Sequence, residues 1–286
     1  MKEAIMQYFI SIYHSACYAL VVIAFWYISK IITDAITKAN DDEQIEQKGN
    51  IAMALMRAGQ YIGIAVGMAA VLSDGGSSIR QSFSKDMLML VVDGALIVIL
   101  FQVSRFLNNR FILPRICNDT EIEKCNVAVG IAECGLLLST GLIMNGAFYG
   151  EGAILAGIIF FALGQAVFII AARLMEHVKS YNVIEQIYEG NVAAGIILAG
   201  NVLSLGFIMR ASVSGEFTGW GTDLLGFALS AVLGFVLLFV FQWVADLLFL
   251  PNTREKQQIV EFKNNAAALI IVSIQTGLSI TVGAII

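Results

Sequence analysis

The chain has 286 residues, of which 58% are hydrophobic and 14% charged, with two prolines and a net charge of −5. A soluble domain is about one quarter charged, so this composition excludes an ordinary globular fold and reads as a polytopic helical membrane protein. It offers no basic face to nucleic acid, so no nucleic-acid partner is expected.

Eight apolar runs are predicted to span, at 9–32, 50–72, 87–107, 126–148, 153–174, 191–211, 224–248 and 265–286. Each meets the roughly 20 residues a helix needs to cross the hydrocarbon core. The first run has no positive region before it and no small-residue cleavage site, so it reads as a retained span rather than a signal peptide. The segment from Asp34 to Lys48 is expected to carry the first helix on into water. Pro114 and Pro251 follow the third and seventh runs.

The loops at 33–49, 105–125, 173–190 and 249–264, with Lys30, hold 12 of the 17 basic residues. The opposite side has Lys2, Arg80, Lys85 and Arg210. The positive-inside rule then places those four loops in the cytoplasm and both termini outside. The outer loops carry turn material at 73–78 and 214–219. Cys17, Cys117, Cys125 and Cys134 show no metal-type spacing and are expected to be reduced thiols.

Asn-x-Ala opens the second, fourth, sixth and eighth runs, at Asn50, Asn126, Asn191 and Asn265, spaced by 76, 65 and 74 residues. A repeat of that length in an apolar chain means duplicated hairpins in parallel orientation. The fold class is therefore all-α, with eight transmembrane helices built from four helical hairpins. These group into two tandem four-helix halves, 1–148 and 149–286. Counted from its Asn, the fourth run has Gly130, Gly135 and Gly141 at +4, +9 and +15. The sixth has Gly195, Gly200 and Gly206 at the same places. Met68, Met144 and Met209 share +18. The second run keeps Gly59, and the eighth has Leu269 and Ile274 where glycines are expected. Small residues on one face permit close helix contact, and they also permit a flexible helix beside a pathway. The Asn itself reads as an N-cap. A cap alone would accept Ser, Thr or Asp, so four asparagines also suggest amides converging on a polar entrance.

Arg57 and Glu133 both stand at +7, about 10 Å inside the helix start. An unpaired charge at membrane depth is costly, so an ion pair between them is expected, either structural or functional. Gln60, Asn201 and Gln275 fall at +10, as interhelical hydrogen-bonding groups or as the lining of a polar route. Asp93, with no basic partner in prospect, is the candidate for a protonatable or ion-binding group. No hydrolase, metalloprotease, phosphate-loop or dinucleotide motif occurs. No catalytic residue, metal or cofactor is expected, and an enzyme is the least favoured class.

The stretches Asn50-Ile51-Ala52-Met53-Ala54, Phe101-Gln102, Leu113-Pro114 and Asn126-Val127-Ala128-Val129-Gly130 resemble the bacterial domain of unknown function 350, typified by YjfL-like inner-membrane proteins. So do Asn191-Val192-Ala193-Ala194-Gly195, Phe241-Gln242, Leu250-Pro251 and Asn265-Ala266-Ala267-Ala268 in the second half. The resemblance implies a four-helix membrane module in two copies, without defined catalytic residues. It also implies an association with envelope stress and phage-shock-protein-A-like proteins. Two readings stay open. One is a structural or interaction component of the inner membrane that docks a peripheral stress-response protein at the cytoplasmic loops. The other is a small-solute or ion channel or transporter using Asp93, Arg57 and Glu133. The bilayer is a partner in both, and the chain is a monomer acting as a pseudo-dimer or a higher homo-oligomer.

Overall fold

The computed structural model describes residues 2–37, 43–72, 83–114, 118–149, 154–215, 217–249 and 255–286. Eight of its helices are long and apolar enough to cross a membrane. Four are long: α1 (Lys2–Thr37), α3 (Phe83–Phe111), α6 (Ile154–Val178) and α9 (Trp220–Phe249). Four are shorter and asparagine-led: α2 (Ile51–Leu72), α5 (Val127–Ala147), α8 (Val192–Val213) and α10 (Asn265–Gly283). Before each Asn lies a short connector. These are a π-turn at Glu43–Gln47, α4 (Asn118–Glu123), α7 (Val183–Tyr188) and a π-turn at Gln257–Glu261. The long helices outrun the expected spans because hydropathy registers only the membrane. A helix can continue into water through exposed polar residues such as Arg110. The segment 38–42, the outer turn 73–78 and Pro251 lie outside the described residues.

The asparagine-led helices pack side by side in the order α2, α5, α8, α10. They run parallel, because contacts rise together along both members of each pair. A Cβ added at Gly59 would sit 2.7 Å from the Cys134 Cα, and one at Gly67 would sit 3.3 Å from the Met144 Cβ. Likewise Gly135 faces the Ala199 Cα at 2.6 Å, and Gly206 faces the Ser139 Cα at 2.9 Å. Gly141 lies directly on the Gly63 backbone. Contacts this close leave no space for a side chain, and they give backbone-to-backbone van der Waals packing in place of a hydrophobic driving force.

The long helices form a second layer, antiparallel to the row and seated over its grooves. Phe101 and Ile97 of α3 meet Gly63 and Gly67 of α2, while Asn108 bonds Thr140 of α5. Gly164 of α6 lies against Ile143 and Val213, and Gly234 of α9 against Ile208 and Ile286. Each therefore bridges its own asparagine-led helix and the one before it. The first long helix, α1, has no preceding groove and packs mainly on α3. Thus the packing unit is the row rather than the isolated hairpin. It also runs unbroken from α5 to α8, across the junction of the two halves.

The row corrects the register of the last repeat. The cap of α10 is Asn264, whose side chain accepts from Ala266 N and Ala267 N, while Asn265 is the exposed first helical residue. Counted from Asn264, +18 is Val282, fully buried like Met68, Met144 and Met209. Positions +4 and +15 become Ala268 and Ser279, both buried, so the eighth span keeps its small face. Position +9 becomes Ser273, which is exposed. The reason is positional. Residues at +4 and +15 face the preceding helix, and those at +9 and +13 face the following one. The first helix has no predecessor and shows Ala54 and Ala65 at +4 and +15.

Gly135→Ala should destabilise the protein by about 1–3 kcal/mol, the cost of overpacking a filled interface, although alanine is the better helix former. Gly226→Ala on α9, where a Cβ meets nothing within 4 Å, should leave stability unchanged or raised. Thermal unfolding of the detergent-solubilised monomer distinguishes the two.

Candidate functional site: the asparagine-capped end and the buried polar seam

Each repeat opens with the same local device. The residue before the cap takes a left-handed conformation: Gly49 at φ 62°, Cys125 at 63°, Gly190 at 77° and Lys263 at 45°. This turn returns the chain so that the Asn backbone N–H donates to Gln44 O, Glu121 O, Gln186 O or Gln258 O, at 2.9–3.0 Å. The Asn oxygen then accepts from backbone N–H groups of the helix start, at 3.1 Å from Met53 N and 3.4 Å from Val129 N. For Asn191 the cap bonds are 3.1 and 3.4 Å, and for Asn264 they are 3.1 and 3.2 Å.

The amide N–H₂ does what Ser, Thr or Asp cannot. It donates to the side chain of its own connector: Gln44 at 3.1 Å, Glu121 at 3.4 Å, Gln186 at 2.8 Å and Gln258 at 2.9 Å. In three repeats it also donates to a backbone carbonyl of the next connector. Asn50 reaches Ile122 O at 2.7 Å, Asn126 reaches Ile187 O at 3.1 Å, and Asn191 reaches Ile259 O at 2.8 Å. The asparagines are caps and lateral stitches together, and each bonds its neighbour rather than a shared polar entrance. The third and fourth connectors are further joined by Glu255, which accepts from Lys179 at 2.5 Å and Tyr181 at 2.6 Å. Burial and that carboxylate push the Tyr181 phenol above its usual range. Hydrogen bonds from Lys124 and Asn126 hold Glu121 below the ordinary carboxylate range, against a smaller opposing effect of burial.

A step further in, polar groups form separate clusters. Arg57 pairs with Asp34 of α1, and its guanidinium donates to Gln60 at 3.0 Å. Gln60 reaches Ser29 Oγ at 2.7 Å and Thr33 Oγ1 at 3.0 Å. Gln102 of α3 bonds the same two hydroxyls at 3.1 and 3.0 Å. Glu133 is fully buried and accepts from Asn118, next to the Arg105–Asp119 ion pair at 2.8 Å. The expected Arg57–Glu133 pair is therefore replaced by two different partnerships. Equal depth did place both charges at one level, but α1 continues beyond its apolar run to Thr37 and brings Asp34 to Arg57. Asp34, Asn118 and Arg105 lay in segments that hydropathy assigns to loops. The one available signal was that a buried Arg57 requires a carboxylate.

A third cluster links Gln165 of α6 to Asn108 at 2.6 Å and Asn108 to Thr140 at 3.1 Å. Near the opposite end, Arg210 donates to Asn145 at 2.6 Å, and Asn145 to Val66 O at 2.8 Å. In the second half, Asn201 and Gln275 are buried. The Asn201 oxygen and both amide atoms of Gln275 have no hydrogen-bond partner. With the corrected register Gln275 stands at +11 rather than +10, so it turns toward α8, out of line with Gln60 and Asn201. Asp93 is partly buried on α3, and none of the other candidates bonds to it. The structure thus joins Arg57 to Gln60, and among the described residues no hydrogen bond or ion pair links Asp93, Glu133, Asn201 and Gln275 to one another. Among the described residues no group of three or more His, Cys, Asp or Glu is placed to hold a metal ion.

Asn191→Asp keeps the cap acceptor and loses the donors, so Ile259 O is left unpaired at a buried site. It should cost about 1–3 kcal/mol, more than Asn264→Asp, whose side chain has no following carbonyl to lose. Unfolding of the detergent monomer measures both. The stabilisation from Glu121 is complete above the ordinary glutamate value of about 4.3. It is lost as pH falls through the lowered folded value. Glu121→Gln should flatten the acid side of the stability profile in that window.

The model of the Domain of Unknown Function (DUF350) family matches residues 6–148 and again 150–286. A UPF0719 transmembrane protein of Aquifex aeolicus (strain VF5) is 24% identical over 257 residues, covering 87% of this chain and 91% of the relative. No solved structure matches. Eight apolar helices and a family module matched twice along nearly the whole length carry one conclusion: this is a multi-pass transmembrane protein that belongs to the Domain of Unknown Function (DUF350) family.

Proposed function

We propose that the protein is a structural and interaction component of the bacterial inner membrane, a helical array whose connectors dock a peripheral stress-response protein. The reading is non-enzymatic. The observation that carries it is the lateral stitching of Asn50, Asn126 and Asn191 to successive connectors. That stitching holds four connectors in one line at one end of the row. Their charged residues include Glu43, Glu46, Lys48, Glu123, Lys124, Glu185 and Glu189. A bias of 12 of 17 basic residues toward that end supports a cytoplasmic placement for it and an outside placement for both termini. The link to envelope stress rests on the family resemblance.

The transport reading has its own support in the unpartnered amides of Asn201 and Gln275. Against it stand the mutually bonded polar groups around Arg57 and the direct backbone contact between Gly63 and Gly141 in the α2–α5 seam. Neutralising Glu43, Glu46 and Lys48 together should remove co-purifying partners several-fold from membrane pull-downs. Proteoliposomes of the wild-type chain should show no proton- or ion-dependent flux. A flux abolished by Asp93→Asn in a folded protein would replace docking with transport.

A further inference from the structure

We infer that the row continues from one molecule into the next. The outer face of α10 receives α2 of a second copy of this chain, head to tail, in the register of the three internal interfaces. Those interfaces follow one rule. Position +9 meets +8 of the following helix, as Gly59 meets Cys134, Gly135 meets Ala199 and Gly200 meets Val272. Position +2 meets +4, as Ala52 meets Gly130 and Ala128 meets Gly195. Position +13 meets +15, as Gly63 meets Gly141 and Ser139 meets Gly206.

On α10 the three positions that should face a following helix are Ala266, Ser273 and Gly277, and all are exposed. A Cβ at Gly277 would meet nothing within 4 Å. On α2 the positions that should face a preceding helix are Ala54, Ala58 and Ala65, of which Ala54 is exposed and the others partly so. Both edges are thus small-residue faces of the kind that packs helix on helix. The outer face of α9, by contrast, presents Leu225, Leu229, Val232 and Val236 at 53–62% exposure, as a lipid-facing surface does.

The caps give an independent indication. Asn50, Asn126 and Asn191 each donate to a carbonyl of the next connector. Asn264 keeps the cap and the Gln258 bond, and among the described residues no connector carbonyl accepts from it. Its counterpart is Ile45. The equivalents Ile122, Ile187 and Ile259 are each 0% exposed, whereas Ile45 is partly exposed at the free edge. Such an interface is heterologous, joining different faces of the two copies, so it propagates into a ring or a filament.

The test pairs Ala58→Cys in one copy with Ser273→Cys in another, co-expressed with different tags. Cys17, Cys117 and Cys134 are changed to Ala, and Cys125 to Gly to suit its positive φ. Oxidation in native membranes should give a mixed A58C–S273C dimer at least tenfold above either homodimer, because the matched positions lie within disulfide reach. A dominant S273C homodimer would mean symmetric edge pairing and overturn the inference. So would the absence of a mixed band. In the wild-type cysteine background, Gly277→Leu touches no internal contact. It should reduce the assembly to monomers in lipid nanodiscs by native mass spectrometry, with the unfolding temperature of the detergent monomer unchanged. A wild-type chain that is monomeric in the same nanodiscs would also overturn it.

Discussion

A carboxamide accepts on its oxygen while its nitrogen donates two N–H groups in other directions, and this fold uses that property in series. At each helix start the asparagine oxygen satisfies N–H groups that a helix leaves open. Its N–H₂ group meanwhile closes the connector and, in three repeats, reaches the next one. Because the caps of α2, α5 and α8 are each bonded to the connector of the next helix, the relative height of adjacent helices is set at that end. The glycine contacts further along depend on that height. A vertical slip of one residue would turn Gly135 away from Ala199 and bring a larger side chain against backbone.

The row then explains which copies keep which small residues. The middle helices carry glycine at +4, +9 and +15, and the terminal helices keep small residues at the same places, Ala54, Gly59 and Ala65 on α2 and Ala268, Ser273 and Ser279 on α10. Ala268 and Ser279 on α10 still face α8. Ala54 on α2 faces nothing within the chain. Differences among repeats that resemble decay in a linear comparison are consequences of position in an open array.

Span number, helix type and the repeat were legible in composition and periodicity, because an apolar run of about 20 residues has few alternatives. The register of the last repeat was not. Two consecutive asparagines, Asn264 and Asn265, satisfy the same pattern, and the choice between them depends on the backbone turn at Lys263. The partner of Arg57 was equally hidden. Depth can be counted along a helix, but azimuth cannot, so the extension of the first helix through Asp34 did not reveal that Asp34 faces Arg57. Glu133 found Asn118 because α4 folds back under the membrane-facing helices, a consequence of tertiary structure with no local sequence signal.

The polar residues bear on function through how completely they are occupied. In the first half, Arg57, Gln60, Ser29, Thr33 and Gln102 bond one another across three helices. A group fully engaged by protein has no capacity left to replace the hydration shell of a passing solute. That favours a fastening role and a rigid array. In the second half, the helices are joined by Ser204 and Thr276 at 3.5 Å. Buried polar atoms without a hydrogen-bond partner occur in both halves, at Arg105 Nε, Asn118 Oδ1 and Glu133 Oε2 as well as at the Asn201 oxygen and the Gln275 amide. Since the small-residue face and the caps are kept throughout, the frame is the common requirement.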